Sequence, residues 1–147
     1  MEIVRLSGED VLCYRQLMEL FASEFDDKEN YADKPPAEEY VTKLLNNKNI
    51  IFLVAKQNEM VVGGLVAYVL HKFEQQRSEI YIYDLAVGLA FRRQGIATSL
   101  INKLKPIARD SGAWVIYVQA DYIDKPAVKL YESLGKREDV LHFDIEV

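Results

Sequence analysis

Cysteine is all but missing from this chain: Cys13 stands alone among 147 residues. No intrachain disulfide and no cysteine-rich metal site can form from one thiol. Its neighbours Val11, Leu12, Tyr14, Leu17, Met18 and Phe21 recur at helical spacing, which favours a small core residue over a nucleophile. A surplus of positive charge is missing too, with 23 acids against 18 Lys and Arg and a net charge of −5. Nucleic acid and anionic membranes are therefore poor partners, and a cationic ligand is favoured. The longest apolar runs are far too short to span a bilayer. No leader-like segment precedes the first strand, so the expectation is a cytoplasmic chain. Repeats, low-complexity tracts and linkers are also lacking. What is present, 50% hydrophobic and 28% charged residues, suffices for one α/β domain over residues 1–147 with a real core.

The pattern along the chain alternates strands and helices. "EIVRL" (2–6) reads as a strand, and residues 8–25 carry a helical apolar stripe. "DDKENYADKPP" ends in Pro35-Pro36 and cannot be regular throughout, and a shorter helix follows over 37–47. The β-formers of 50–56 and 61–70, separated by "QNEM", predict a hairpin, and Gly63-Gly64 predicts a bulge or a close backbone approach. Residues 78–87 form a further long strand. Ile96, Leu100, Ile101, Leu104 and Ile107 mark one face of a helix from 95 to 110 that Pro106 is expected to kink or shorten. "AWVIYVQ" (113–119) is continuously apolar, as a central strand buried on both faces would be. A helix over 125–135 ends at Gly135, a natural C-cap. "VLHFDIEV" is expected to close the sheet, with Leu141, Phe143 and Ile145 on one face and His142 and Asp144 on the other.

The junction "DLAVGLAFRRQGIATSL" (84–100) carries the chemistry. A strand ends there, Arg92, Arg93 and Gln94 follow, and Gly95 opens a helix. Helix starts present unpaired N–H groups and partial positive charge, so the stretch reads as a pyrophosphate cradle. The bland alternative is a helix start with two solvated arginines. No Gly-Lys-Ser/Thr follows, so it is not a Walker loop, nor is it a Rossmann glycine pattern.

"RRQGIA" (92–97) resembles the Arg/Gln-x-x-Gly-x-Gly/Ala signature of the GNAT acetyltransferase superfamily, with Arg92, Gly95 and Ala97 in the signature places. "PAVKLYESLG" (126–135) is similar to that family's fourth helix, and the element order matches over essentially the whole chain. The strings "AYVLHKFEQQRSEIYIYDLAV", "RRQGIATSLI", "VIYVQADY" and "LHFDI" closely resemble the type I aminoglycoside 3-N-acetyltransferases, as does "FASEFDDKENYADKPP". The resemblance implies a GNAT fold: a mixed, mostly antiparallel sheet, splayed between the fourth and fifth strands and flanked by four helices. It also implies acetyl-CoA as donor, no metal, a homodimer, and direct transfer to the 3-amino group of a deoxystreptamine ring, which confers resistance.

By the same resemblance, Arg92, Arg93, Gln94, Gly95, Ile96, Ala97 and Thr98 hold the pyrophosphate. The backbones of Leu85, Ala86 and Val87 lie along the pantetheine arm, and the Val87 N–H faces the thioester oxyanion. Tyr131 faces the sulfur and protonates the leaving thiolate, against the alternative of a tyrosine packed on the sheet. Asp84 interrupts the apolar strand "IYIYDLAV" and is the candidate base; the duller account is a strand-end carboxylate bonded to backbone. An alkylammonium of pKa near 10.4 is neutral in only about one molecule in a thousand near pH 7.4, so a base has work to do. Asp124 stands where the family often has asparagine, and it cannot donate as the amide does.

Seven acids and two lysines fall between Glu24 and Glu39. A charge run is commonly a solvated face, but in this family that segment walls the acceptor site. Glu24, Asp26, Asp27, Glu29 and Tyr31 are thus candidates to bind a polycation. Asp121, Tyr122 and Asp124 would face it from the other side, joined by His142 and Asp144 unless those form a solvent-facing pair. Two other readings stay open: the same chemistry on a polyamine or protein amine, and a non-catalytic acetyl-CoA sensor.

Overall fold

The computed structural model describes residues 1–147. Its elements are β1 (Glu2–Arg5), α1 (Val11–Glu24), α2 (Lys28–Tyr31), α3 (Glu38–Asn46), β2 (Ile50–Gln57), β3 (Met60–His71), β4 (Ser78–Val87), α4 (Ile96–Asp110), β5 (Ala113–Val118) and α5 (Lys125–Leu134). One five-stranded sheet runs in the order β1-β2-β3-β4-β5. β1 to β4 pair antiparallel, while β4 and β5, joined through α4, are parallel. This is the expected fold. The chain divides into two compact units, Met1–Tyr117 and Val118–Val147.

In the first unit, successive glycines of β3 show how the layers are built. A Cβ on Gly64 would lie 2.5 Å from Leu17 Cδ1 of α1, and one on Gly63 would lie 3.2 Å from Ile96 Cγ2 of α4. Neighbouring strand residues point to opposite faces, so α1 covers one face of the sheet and α4 the other. Leu17 and Phe21 of α1, Leu53 and Leu65 of the sheet, and Leu100 and Leu104 of α4 are fully buried between these layers. The close approach expected at the glycine pair is present. The ladder is irregular there as well, shifting register between Ala55 and Lys56 of β2.

A second irregularity bears on the site. Val66 pairs with Asp84, but Ala67 pairs with Ile82, which leaves Tyr83 as an extra residue in β4. Such a bulge bends the strand and re-aims the side chains beside it.

Several sequence expectations need correction. Pro106 does not shorten α4, which continues to Asp110; the proline lies on the exposed face, where water can reach the carbonyl it leaves unbonded. β5 is not a doubly buried central strand: it is the sheet edge, and none of its residues is buried. Gly135, by contrast, is the C-cap of α5 as expected, its N–H donating to the Tyr131 carbonyl at 2.9 Å from an extended conformation (φ −152°). Residues 140–147 form no strand, and Leu141, Phe143 and Ile145 are exposed. Alternation marks a segment suited to a sheet; it does not supply the neighbour that makes one.

Candidate active site

Asp84 is held by Tyr31, whose hydroxyl donates to Asp84 Oδ2 over 2.6 Å. The sequence names both residues as candidates at the acceptor side and shows no bond between them. Local structure explains the meeting. Asp27 caps the single turn of α2, its Oδ1 accepting from the Asn30 N–H at 3.1 Å and its Oδ2 from the Asn30 side-chain amide at 2.9 Å. At the end of that turn Tyr31 packs edge-on against Phe21, with ring centroids 5.7 Å apart, and tilts against Phe25 at 5.6 Å. The apolar end of α1 therefore fixes the ring, and the ring aims its hydroxyl at β4.

The electrostatics suit a proton acceptor. Burial pushes the Asp84 carboxyl above its ordinary range, the hydrogen bond from Tyr31 pulls it partly back, and the charge of Asp27 pushes it up again. Burial, then donation to Asp84, hold the Tyr31 hydroxyl far above the usual tyrosine range. Tyr31 is therefore a neutral donor, and the only charge on the pair sits on Asp84.

Further tyrosines, which carry no motif in the sequence, surround this carboxylate. Tyr68 and Tyr83 meet edge-to-face at 5.8 Å, Tyr83 meets Tyr81 at 5.8 Å, and Tyr81 stacks on Tyr117 at 4.8 Å. The charge of Asp84 raises the titration of both Tyr68 and Tyr81, which marks them as its neighbours. Tyr81 and Tyr83 recur at strand spacing in "YIYD", a signal that one face of β4 is aromatic.

The cradle lies past the end of β4, whose last residues are Leu85, Ala86 and Val87. Arg93 (φ 63°) and Gly95 (φ 76°) both adopt the left-handed conformation, strained for arginine and free for glycine. Gln94, between them, is exposed, and Ile96 is buried where α4 begins. No side chain caps α4, its first turn holds no acid, and a Cβ on Gly95 would meet nothing within 4 Å. The first-turn amides of Ile96, Ala97 and Thr98 thus open onto free space beside a positive helix end, an arrangement that fits a pyrophosphate.

Arg92 and Glu24 hold this loop in place. Arg92 Nη2 donates to Glu24 Oε2 at 2.5 Å, Arg92 Nε to the Val87 carbonyl at 3.4 Å, and the Leu89 N–H to Glu24 Oε1 at 3.1 Å. Both oxygens of Glu24 are engaged in bracing the turn after β4. Of the other candidate acids, Asp26 (φ 49°) and Glu29 are exposed, while Asp27 is occupied in capping α2.

The remaining candidates belong to the second unit, where their own bonds group them. Asp121 Oδ1 accepts from the Ile123 N–H at 3.2 Å, and Asp124 caps α5 by accepting from the Ala127 N–H at 3.3 Å. Tyr122 donates to Asp139 at 3.1 Å, and Arg137 bonds both Asp139 and Glu132 at 3.0 Å. His142 Nε2 lies 2.8 Å from Asp144 Oδ1, both exposed. Tyr131 lies on α5, half-exposed.

Known proteins share this fold. An aminoglycoside acetyltransferase, HMB0005, from an uncultured soil metagenomic sample superposes with a TM-score of 0.97 at 50% identity, covering 99% of this chain and 97% of that one. Another from such a sample, meta-AAC0020, solved in complex with sisomicin, has a TM-score of 0.92 at 34% identity, covering 99% and 95%. Among curated proteins, N-acetyltransferase 8B of Rattus norvegicus is 29% identical over 99 residues, which are 67% of this chain and 45% of the relative. The chain spans about half the length of the curated relatives it matches. The acetyltransferase (GNAT) family matches residues 14–136, which include the base candidate, the cradle and α5. That match spans most of the chain, from α1 past the half-buried carboxylate beside the β4 bulge and the open cradle to the end of α5, and this chain belongs to the GNAT acetyltransferase family.

Proposed function

We propose that the protein transfers acetyl from acetyl-CoA to the 3-amino group of the deoxystreptamine ring of aminoglycosides of the gentamicin and sisomicin type, and so confers resistance in the cytoplasm. The observation that carries this reading is the Tyr31–Asp84 pair: an ionisable carboxylate, set among tyrosines, close to an anion cradle. The 50% identity to one aminoglycoside acetyltransferase and the sisomicin bound to another support the substrate class. The family match crosses both compact units, which supports one functional domain over 1–147.

Acetyl-CoA supplies the activated acyl group; the chain's residues supply position and protons. The amides of Ile96, Ala97 and Thr98, with Arg93, hold the pyrophosphate, while the end of β4 aligns the arm. Asp84 accepts the proton of the substrate ammonium, freeing its lone pair. The Val87 N–H donates to the thioester oxygen as the C–N bond forms and the C–S bond breaks. Tyr131 gives its proton to the departing thiolate, and the second N–H proton, shed as the nitrogen becomes an amide, restores the tyrosine. The flat faces of Tyr68 and Tyr83 suit the apolar faces of sugar rings, and Asp26, Asp27 and Glu29 add negative potential for a ligand carrying several ammonium groups.

Thiol release measured with sisomicin, gentamicin, kanamycin and spermidine tests this reading. Turnover on the aminoglycosides, with the 3-amino group acetylated by NMR of the product, is expected. Turnover confined to spermidine would keep the chemistry and overturn the substrate.

A further inference from the structure

We infer that Tyr83, the extra residue of the β4 bulge, determines specificity: its ring seats a saturated six-membered ring so that an amine borne directly on that ring reaches Asp84. The inference rests on the proton-acceptor role proposed above for Asp84. Sheet register carries it. Gly64 faces Leu17 of α1, so Val66 and Tyr68, two and four residues further along β3, face the same side. Across the ladder, Gly64, Val66 and Tyr68 pair with Ala86, Asp84 and Tyr81. Ala67 and Val69 face the other side, and their partners Ile82 and Ile80 are buried there. Tyr83 lies outside this pairing, and its ring meets those of Tyr68 and Tyr81 at 5.8 Å each, so it projects to the α1 side too. In a regular strand Tyr83 and Asp84 would point to opposite faces. The bulge sets both on one face, from Cα atoms about 3.8 Å apart.

Exposure shows that this ring is available. Leu17 and Phe21 on the same side are fully buried, whereas Tyr83 is 60% exposed and Tyr68 37%. The two tyrosine planes cross at 82°, forming two walls of a corner. Tyr31 closes a further side through its bond to Asp84. A flat wall fixed beside a carboxylate discriminates by shape. A saturated ring rests its apolar face on the tyrosine while its own nitrogen stands at the carboxylate. An open-chain amine offers no such face, and freezing its rotors opposes binding. The aromatic ring also attracts the ammonium before its proton is lost.

Matched diamines test this. cis-1,3-Diaminocyclohexane and 1,3-diaminopropane carry two amines across the same three-carbon unit, one on a ring and one on an open chain. Thiol release gives kcat/KM for each with wild type, Tyr83→Phe and Tyr83→Ala. Wild type is expected to prefer the cyclic diamine, and Tyr83→Phe to keep that ratio, because the ring and not the hydroxyl seats the substrate. In Tyr83→Ala the ratio falls about 10- to 100-fold, the scale of one ring stacked on an aromatic side chain. A merely structural tyrosine would lower both diamines together. An unmoved ratio therefore overturns the proposal, as does a fall in Tyr83→Phe equal to that in Tyr83→Ala.

A second measurement needs neither turnover nor a folded alanine variant. In aromatic NMR spectra of the wild-type protein, the Tyr83 ring resonances are expected to shift with the cyclic diamine and not with the linear one. Equal shifts, or none, overturn the inference. Sisomicin is assayed alongside. Acetylation of the cyclic diamine but not of sisomicin removes the substrate proposed above and leaves the role of Tyr83 intact. Acetylation of sisomicin with an unmoved diamine ratio does the reverse.

Discussion

Tyr31 and Asp84, 53 residues apart in sequence, form the hydrogen bond on which the chemistry of this site turns. The tyrosine is a neutral donor fixed by Phe21 and Phe25. It stabilises the charged form of a carboxylate that burial opposes. Tyr31 is a positioning residue that keeps the base both oriented and ionised.

Tyr31→Phe removes that donor and leaves burial and Asp27 to act alone. The Asp84 carboxyl then titrates at higher pH, so the acid limb of the kcat/KM profile moves upward. The pH profile of thiol release checks this. A limb that does not move means that Asp84 is not the titrating base.

The same shift has a stability consequence. A carboxyl whose folded pKa is raised favours folding below the pKa of the unfolded chain, and that contribution is lost as pH rises through the folded value. Near neutral pH the ionised Asp84 therefore opposes folding. Asp84→Asn is expected to raise Tm at pH 7.5, with the gap to wild type closing as the pH falls towards 4. Melting curves across that range decide it.

Glu24 and Arg92 are predicted to act as one unit. Arg92→Ala and Glu24→Ala each loosen the turn after β4, raising KM for acetyl-CoA about 5- to 10-fold, on the scale of one ordinary hydrogen bond. The double variant costs no more than the worse single, which a double-mutant cycle reads directly. Additive losses would mean that Arg92 serves the pyrophosphate independently of Glu24.

Two glycines separate binding from folding. Gly95→Ala meets no atom but forces alanine to φ 76°, at about 1–2 kcal/mol, and its methyl enters the cradle. Gly64→Ala sets a methyl 2.5 Å from Leu17 Cδ1 and 2.8 Å from the Leu53 carbonyl, an overpacking that costs about 1–3 kcal/mol. Acetyl-CoA affinity is expected to fall mainly in the first variant and Tm mainly in the second; titration calorimetry and thermal unfolding separate them.

What the sequence disclosed followed the range of the interactions involved. β4 and the cradle are legible because their signals are local: an apolar run broken by Asp84, then arginines and a glycine at a helix start. The link from Tyr31 to Asp84 was not legible, since it depends on how the end of α1 and the turn of α2 meet the bulge at Tyr83. Glu24 looked like one more acid of a charged run, and only the fold shows it bracing Arg92. Tyr68 and Tyr83 are not legible as site residues because strand tyrosines look like ordinary β-formers. The misreading of β5 and of residues 140–147 has one physical root: apolar pattern records what a segment needs to cover, not which surface covers it.

The most direct measurement compares wild type with Asp84→Asn on sisomicin, recording kcat/KM for acetyl transfer and, separately, affinity for acetyl-CoA. The account predicts a fall of about 10²- to 10⁴-fold in kcat/KM, the scale of a lost general base, with acetyl-CoA binding unchanged. A variant that turns over like wild type would contradict it, and the carboxylate beneath Tyr31 would then be a structural feature of β4.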